Sequence, residues 1–231
     1  MPPRPSRNLD QALLVAGRAL FPQRGCAGLS VREVADSAGV NLGMFHYHFK
    51  SREAFLRALM QQAYEEMFAT LTLEVARETD PVVNLRNALR VLGRFMRDNR
   101  PFLARVFTDA LSGEQCAREF LRDNMPRHLG VLHKLVAEGQ KSGAMIDIPF
   151  PQVIGLCGGS LTMPILLGGA LLDAGALSPP MAQVIEKCFI TDAGIDQRID
   201  LALKAITTNA KTHETPPDTP RRRRAARGVR R

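Results

Sequence analysis

The sequence SVREVADSAGVNLGMFHYHFKSR, residues 30 to 52, decides the fold of this chain. Ser30 and Glu33, three residues apart, form a capping box, which predicts that a helix begins at Val31. Gly39 stands where this helix must end, because glycine readily adopts the left-handed backbone that a sharp turn needs. The first half of the stretch therefore predicts a helix of about two turns followed by a tight turn.

A second short helix is predicted directly after the turn. Asn41 is a favourable N-cap residue, and Phe45 and Phe49, four residues apart, share the face that packs against other helices. The remaining faces carry Leu42, Met44, His46, Tyr47 and His48. Two short helices joined in this way are typical of a helix-turn-helix, whose second helix lies in the major groove of DNA.

Three short motifs mark the turn and the end of the second helix, namely Ala38-Gly39-Val40, Tyr47-His48-Phe49 and Lys50-Ser51-Arg52. In order and spacing they resemble the TetR family of bacterial transcriptional regulators, over roughly residues 8 to 68. The resemblance implies an all-α fold, with an N-terminal three-helix DNA-binding head and a C-terminal helical domain for ligand binding and dimerisation. Leu42 and Met44 stand where polar residues are frequent, and His46 where tyrosine is usual, which affects the expected operator sequence.

The resemblance also implies which residues contact DNA. The base-facing residues are expected to be Leu42, Gly43, Met44, His46 and Tyr47, and the residues approaching phosphates are expected to be Ser30, Asn41, His48, Lys50 and Arg52. The apolar side chains among the first group favour contact with thymine methyl groups. One reading helix covers too few base pairs for genomic specificity, so a homodimer on a near-palindromic, double-stranded operator is predicted.

Ordinary core hairpins can show the same two amphipathic helices, and the charge distribution argues against that alternative. Residues 1 to 60 contain eight Lys/Arg and four Asp/Glu, whereas residues 61 to 210 contain fifteen and seventeen. Residues 211 to 231 contain eight Lys/Arg and two Asp/Glu. Basic ends on a mildly acidic body fit attraction to the phosphates of DNA.

Helical patterns and charge runs together predict four regions. Residues 1 to 7 form a mobile basic arm, residues 8 to 56 the helix-turn-helix domain, residues 57 to 210 the helical ligand-binding and dimerisation domain, and residues 211 to 231 a disordered Arg-rich tail. The first helix is expected to end at Gly25, and later helices to break at Asn99-Arg100-Pro101 and Ser112-Gly113 and to kink near Pro126. The tail is either a solubilising charge run or an electrostatic attachment to DNA or an acidic surface.

Residues 148 to 172 contain no charged residue and are long enough to span a bilayer, since roughly 20 apolar residues suffice. Asp147 and Asp173 flank the stretch, and no Trp or Tyr anchors it, so a buried helix in a dimer interface is favoured and no membrane partner is expected. The resemblance implies that residues 196 to 208 form the second interface helix, with one apolar face made by Ile199, Leu203 and Ile206.

Signatures of enzymes and of metal sites are missing from the sequence. Residues 158 to 162 lack the final glycine of a nucleophile elbow, so Ser160 is interpreted as a helix hydroxyl, and phosphate-loop, dinucleotide and zinc-peptidase motifs do not occur. Four widely spaced cysteines predict buried reduced thiols, namely Cys26, Cys116, Cys157 and Cys188. No enzyme activity, metal or cofactor is expected, and an N-terminus without an apolar signal region predicts a cytoplasmic protein.

The aromatic and methionine residues of the helical body have two interpretations, plain core packing and an apolar ligand pocket. The pocket candidates are Phe95, Phe102, Phe107, Met125 and Met163, with Arg105, His128 and His133 as polar anchors. The sequence therefore predicts a transcriptional repressor that a small hydrophobic ligand releases from its operator. The alternative is a membrane-associated or protein-interaction module with basic tails.

Overall fold

The computed structural model describes residues 9–75 and 78–208. The predicted all-α class is confirmed, since an isolated bridge between Met145 and Thr207 is the only β-type pairing within those residues. The predicted arm and Arg-rich tail lie outside them. The helices, numbered in chain order, are α1 Leu9–Gly28, α2 Val31–Ser37, α3 Leu42–Phe49, α4 Arg52–Val75, α5 Pro81–Asp98, α6 Arg100–Ser112, α7 Gln115–Lys141, α8 Phe150–Met163, α9 Gly169–Asp173, α10 Pro179–Ile185 and α11 Asp192–Ile206.

The helix-turn-helix forms as α2 and α3, and its capping residues act as the sequence predicts. Ser30 Oγ accepts a hydrogen bond from the backbone N–H of Glu33 at 3.5 Å. Asn41 Oδ1 accepts one from the backbone N–H of Met44 at 2.9 Å. Gly39, in the turn between the helices, has a φ of 64°. The two helices are thus fixed at their N-termini by side chains and joined by a glycine in the left-handed conformation.

Three phenylalanines hold α3 against the rest of the head. Phe45 is fully buried, and its ring centroid lies 5.6 Å from that of Phe49 and 5.1 Å from that of Phe55 on α4. Aromatic contacts at these distances add to the free energy gained from burying the rings. The predicted inward face of α3 is therefore confirmed, and its opposite face is left free.

Helix α4 belongs to both the head and the body. Its first half buries Leu59 and Ala63 in the apolar core of the head, and its second half buries Tyr64 and Leu71 in a separate core of the body. The predicted domain boundary between residues 56 and 57 falls inside this continuous helix. Head and body therefore share a rigid element, with no linker at that point.

Helix α6 completes the core of the head from the side of the body. Phe102 and Val106 are buried in the same apolar cluster as the inner face of α1, and the ring centroids of Phe21 and Phe102 are 4.8 Å apart. The head therefore depends on α6 for part of its own core.

Gly25 interrupts α1 where the sequence predicts its end, although one more turn follows as far as Gly28. Its φ is 64°, and a Cβ at this position would lie 2.1 Å from Arg105 Nε. The guanidinium of Arg105 is held there, because Nε donates to Asp109 Oδ1 at 2.8 Å and the NH2 group donates to the carbonyl of Arg24 at 3.3 Å. Both the backbone conformation and the close approach require glycine.

A row of arginines on α5 faces a row of aspartates on α11, in antiparallel order. Arg90 forms two hydrogen bonds with the carboxylate of Asp196, at 2.7 and 3.3 Å. Two further pairs lie on either side, Arg86 with Asp200 and Arg97 with Asp192. These side chains are partly exposed, so the pairs contribute modest stability and chiefly fix the register of the two helices.

The apolar face of α11 lies inside the monomer, which corrects the prediction that it meets a partner. Ile199, Leu203 and Ile206 are buried in the core of the body, where α11 packs against α5 and α8. A face that is covered within one chain is not available to a second copy. The helix also begins four residues earlier than predicted, at Asp192.

Two other helices of the body differ from their predictions. Helix α7 continues without a break through Pro126. The apolar stretch forms a helix from Phe150 to Asp173 that includes a π-helical turn, Pro164–Gly168, and it is long and apolar enough to cross a membrane by length and composition alone. Only 39% of its most apolar window is buried, so the prediction of a buried helix holds for one side of it only.

Substitution of Gly25 by alanine tests the close approach of α6 to α1. Gly39→Ala is the matched control, because its φ is also 64° but nothing lies within 4 Å of the added Cβ. We expect Gly39→Ala to lower the free energy of unfolding by about 1–2 kcal/mol through backbone strain. Gly25→Ala should cost about 3 kcal/mol or more, because it also displaces a guanidinium from a buried carboxylate. Chemical denaturation measures both, and equal losses would contradict the described contact.

Candidate nucleic-acid interface and interior cavity

One side of α3 is presented to solvent. Tyr47 is 70% exposed and Leu42 is 39% exposed, and Gly43 and His46 are exposed beside them. Their spacing places these four residues on one face of the helix, opposite the buried ring of Phe45. Four of the five predicted base-facing residues therefore lie together on a surface that a DNA groove can reach.

Met44 and His48 are less accessible than the sequence suggests. Met44 is half-buried and packs against the apolar core of the head. His48 is also half-buried, and its Nε2 atom is enclosed without a hydrogen-bond partner in the part of the chain that the structure describes. Ser30 and Asn41, in contrast, are exposed at the N-termini of α2 and α3, where backbone N–H groups favour a phosphate.

Arg52 does not have a free guanidinium, which corrects its predicted role at a phosphate. Its Nε donates to the carbonyl oxygen of Leu29 at 2.8 Å, and its NH2 group donates to the carbonyl oxygen of Cys26. These carbonyls belong to the end of α1, where a helix leaves its last acceptors without intrahelical partners. Arg52 thus joins α4 to the end of α1.

Most arginines of the head are paired within the protein. The pairs are Arg18 with Glu66, Arg24 with Glu33, and Arg57 with Glu119. The hydrogen bond from Arg24 holds the pKa of the Glu33 carboxyl below its ordinary value, so this pair stays ionised at neutral pH. Within the described part of the head, Arg32 and Lys50 are exposed without an acidic partner. Arg32 is a cation beside the reading helix that the sequence analysis did not single out.

A buried carboxylate connects the end of α1 to α6. Asp109 is 3% exposed, and its Oδ2 accepts a hydrogen bond from the backbone N–H of Cys26 at 2.6 Å. Its Oδ1 accepts from Arg105 at 2.8 Å. A buried charge is tolerated when it is paired and hydrogen-bonded, as it is here.

A partly enclosed cavity of about 320 Å³ lies in the body, between α4, α5, α6, α7 and α8. Its wall is built mainly from aliphatic, aromatic and methionine side chains, and within residues 9–75 and 78–208 no Lys, Arg, Asp or Glu lines it. The predicted pocket residues that line it are Phe95, Phe102, Phe107, Met125 and His128. Four of the five predicted aromatic and methionine residues therefore surround one apolar space.

Polar atoms reach this cavity mainly from α4 and α7. The hydroxyl of Tyr64 donates to the carbonyl of Asn124 at 2.8 Å and lies 3.3 Å from His128 Nδ1. Burial lowers the pKa of the His128 imidazole and raises the pKa of the Tyr64 phenol, so both are neutral at neutral pH. The cavity therefore offers hydrogen bonds without offering charge.

Three of the predicted pocket residues lie elsewhere. Arg105 is engaged with Asp109 and the end of α1, outside the cavity wall. Met163 is 61% exposed on the outer surface of α8, and His133 lies beside Phe150 in a surface groove. The sequence showed only the types of these residues. Their positions around the helix axes point them away from the cavity.

An apolar surface runs along the outer side of α8 and α9. Leu156, Met163, Leu167 and Leu171 follow one another at helical spacing and are exposed. We call these four residues the outer apolar face. Leu201 on the neighbouring α11 is also exposed.

Other predicted features can be placed as well. No cluster of three or more metal-binding side chains occurs among residues 9–75 and 78–208. Ser160 Oγ donates to the carbonyl of Cys157 at 2.8 Å, which confirms its interpretation as a helix hydroxyl. Cys26 and Cys157 are buried, but Cys188 is exposed, so the prediction of buried thiols is wrong for that residue.

Comparison with known proteins agrees with the geometry of the head. Residues 13–59 match the model of the family described as bacterial regulatory proteins, tetR family. The HTH-type transcriptional repressor DhaR of Mycobacterium sp. (strain GP1) is 30% identical over 139 residues, which cover 58% of this chain and 69% of DhaR. The chain belongs to the TetR family.

Two further proteins extend this similarity. The probable HTH-type transcriptional regulator YttP of Bacillus subtilis is 25% identical over 150 residues, covering 64% of this chain and 72% of YttP. The FadR regulator of Bacillus subtilis, solved in complex with stearoyl-CoA, superposes with a TM-score of 0.65 at 15% identity, covering 85% of this chain and 98% of FadR, which shows a shared fold. This TetR-family chain is a DNA-binding transcriptional regulator, and its family is not a class of enzymes. The membrane-associated alternative gains no support from these comparisons.

Proposed function

We propose that this TetR-family regulator is a repressor that binds a near-palindromic operator as a homodimer, with one α3 in each of two major grooves. The observation that carries the proposal is the exposed face of α3, anchored from behind by the buried Phe45. Leu42, Gly43, His46 and Tyr47 contact base edges, and Met44 contributes only its accessible part. Half-sites lie about 34 Å apart, or a multiple of that distance.

Phosphate contacts come from the two helix N-termini and from the unpaired cations. Ser30 and Asn41 lie at the starts of α2 and α3, and Lys50 and Arg32 carry exposed charges. His48, whose side chain is half-buried, stays a proposed phosphate contact. Arg52 acts indirectly, by joining α4 to the end of α1.

The outer apolar face is the proposed dimer interface. Its four large side chains lie at helical spacing, so a second helix can pack along the row. We extend the interface to the exposed Leu201 on α11, which packs against α8, so that two helices from each copy meet across a two-fold axis. Continuous apolar surface of this kind is unfavourable in water, and burial against an identical copy removes it.

The ligand proposed for the cavity is a neutral, mainly apolar molecule, or the apolar part of a larger one. The absence of charged residues from the described part of the cavity wall disfavours a buried carboxylate or phosphate. The neighbouring imidazole of His128 and phenol of Tyr64 supply a polar end. DhaR is named a repressor, which supports the proposed repression. FadR was solved with stearoyl-CoA, which supports a ligand with a large apolar part. Such a repressor acts in the cytoplasm, where its operator is accessible.

Tyr47→Ala and Lys50→Ala distinguish base contact from phosphate contact. A duplex selected by the wild-type protein from a random library serves as the cognate probe, and a scrambled duplex serves as the nonspecific one. Tyr47→Ala should weaken binding to the cognate duplex by about 1–3 kcal/mol while leaving the scrambled duplex nearly unaffected. Lys50→Ala should weaken both alike and reduce the salt slope by about one unit. Fluorescence anisotropy over a salt series measures these effects.

Equal losses on the two duplexes for Tyr47→Ala would refute the assignment of α3 as the reading helix. Leu73→Ala is a suitable control, because this exposed leucine of α4 lies outside the helix-turn-helix. It should change neither affinity.

Leu167→Arg tests the dimer interface. A guanidinium in the centre of the outer apolar face cannot be buried against its symmetry mate without a partner, so the variant should be monomeric. Light scattering coupled to size-exclusion chromatography measures the mass. Leu73→Arg introduces the same charge at an exposed leucine of α4 and should leave the dimer intact. A dimeric Leu167→Arg variant would place the interface elsewhere.

A further inference from the structure

Two cysteines that are 90 residues apart in sequence meet where the head contacts the body. Cys26 follows the break at Gly25 in α1, and Cys116 lies in the first turn of α7. Each thiol shifts the pKa of the other, so the two are neighbours, and Cys116 packs against the apolar cluster that contains Cys26. One thiol of the pair therefore belongs to the DNA-binding head and the other to the ligand-binding body.

The two thiols differ in access to solvent. Cys26 is 1% exposed, whereas Cys116 is only partly buried. A small oxidant can therefore reach Cys116 first, and Cys26 is shielded behind it. This is the arrangement of a reactive cysteine next to a resolving cysteine.

The charged and polar groups around the two thiols also favour Cys116 as the reactive one. The hydrogen bond from Cys26 lowers the pKa of the Cys116 thiol, and the guanidinium groups of Arg57 and Arg52 lower it further against the opposing effects of burial and Glu119. The pKa of the Cys26 thiol is raised by Cys116, by burial and by the carboxylate of Asp109. The thiolate of the pair therefore forms on Cys116, and the thiolate is the nucleophilic form.

We propose that Cys116 is a site of oxidation by hydroperoxides, and that Cys26 resolves it into a disulfide between head and body. The thiolate of Cys116 attacks the terminal peroxide oxygen, the O–O bond breaks, and an alcohol, or water from hydrogen peroxide, leaves after protonation. Cys116 becomes a sulfenic acid. Cys26 then loses its proton and attacks that sulfur, the S–O bond breaks, and the oxygen leaves as water. Overall the two thiols lose two electrons and two protons, and the peroxide gains them.

The disulfide would form next to the polar contacts that position the head. The backbone N–H of Cys26 already donates to Asp109, and its carbonyl accepts from Arg52. A covalent bond from the same residue to α7 holds the end of α1 at one distance from the body. Two heads fixed in this way cannot adjust to the spacing of successive major grooves, so oxidation weakens operator binding. This consequence rests on the proposed DNA binding, whereas disulfide formation does not.

The experiment treats the full chain with hydrogen peroxide in a Cys188→Ser background, which removes the exposed thiol that could link two chains. Free thiols are then alkylated, and peptides are analysed by mass spectrometry without reduction. A disulfide between Cys26 and Cys116 is expected. Cys116→Ser should protect Cys26 from oxidation, and Cys26→Ser should leave a sulfenic acid on Cys116 that dimedone traps. Absence of the disulfide, or oxidation of Cys26 in Cys116→Ser, overturns the proposal.

A charge variant tests the chemistry without altering either cysteine. Arg57→Ala should slow oxidation of Cys116 severalfold and raise the pH at which iodoacetamide alkylates it, because the thiolate loses a nearby cation. Arg122→Ala removes an equally charged, exposed residue of the same helix as Cys116 and should change neither rate. Equal rates in all three proteins would overturn the assignment of Cys116 as the reactive thiol.

The regulatory consequence has its own measurement. The oxidised protein should bind the selected duplex about tenfold more weakly than the reduced protein, within the usual range of coupling between sites. Dithiothreitol should restore the affinity, and Cys116→Ser should be insensitive to peroxide. A confirmed disulfide with unchanged DNA affinity would overturn the regulatory role alone. Failure of the reduced protein to bind any selected duplex would instead count against the proposed function.

Discussion

The buried carboxylate of Asp109 is the interaction on which the arrangement of head and body depends. It accepts hydrogen bonds from the backbone of α1 at Cys26 and from Arg105 of its own helix. Breaking a buried charge pair by removing one partner costs about 3–5 kcal/mol, so these bonds are not exchanged freely for water. Any rotation of the head must therefore move α6 with it or provide other donors. The glycine at position 25 is required because this carboxylate holds the arginine against α1.

Helix α6 contacts both functional parts of the protein. Near its C-terminal end, Asp109 accepts a hydrogen bond from the backbone of α1. Phe102, Leu103 and Phe107 of the same helix line the cavity. A ligand that displaces these side chains therefore acts on the same rigid element that positions the head. Coupling of this kind needs two arrangements of α6 that differ in their fit to ligand and to DNA. The Cys26 and Cys116 pair lies at the same contact between head and body. Oxidation and ligand binding would therefore both act on that contact.

The local structure of the head could be predicted from sequence because it depends on short-range chemistry. Capping by Ser30 and Asn41, and the glycine in the turn, are decided within a few residues, and all three are as predicted. Contacts between distant segments could not be predicted, because an amphipathic pattern shows which face is apolar but not which segment covers it. The carbonyls that occupy Arg52 come from the end of α1, and Met163 lies on a face of α8 that the rest of the chain leaves uncovered.

We propose that the cavity and the reading helix are thermodynamically coupled through α6. The most direct test takes neutral hydrophobic compounds that raise the melting temperature, and measures the ligand dissociation constant with and without the selected duplex and the DNA dissociation constant with and without ligand. Coupling requires that the DNA change the ligand dissociation constant by the same factor as the ligand changes the DNA dissociation constant, and that this factor differ from one. In the Leu103→Trp variant the larger side chain fills the cavity from α6. This variant should not bind the compounds, and its DNA affinity should not change when they are added. Ligands that bind the wild-type cavity and leave DNA affinity unchanged would contradict the claim.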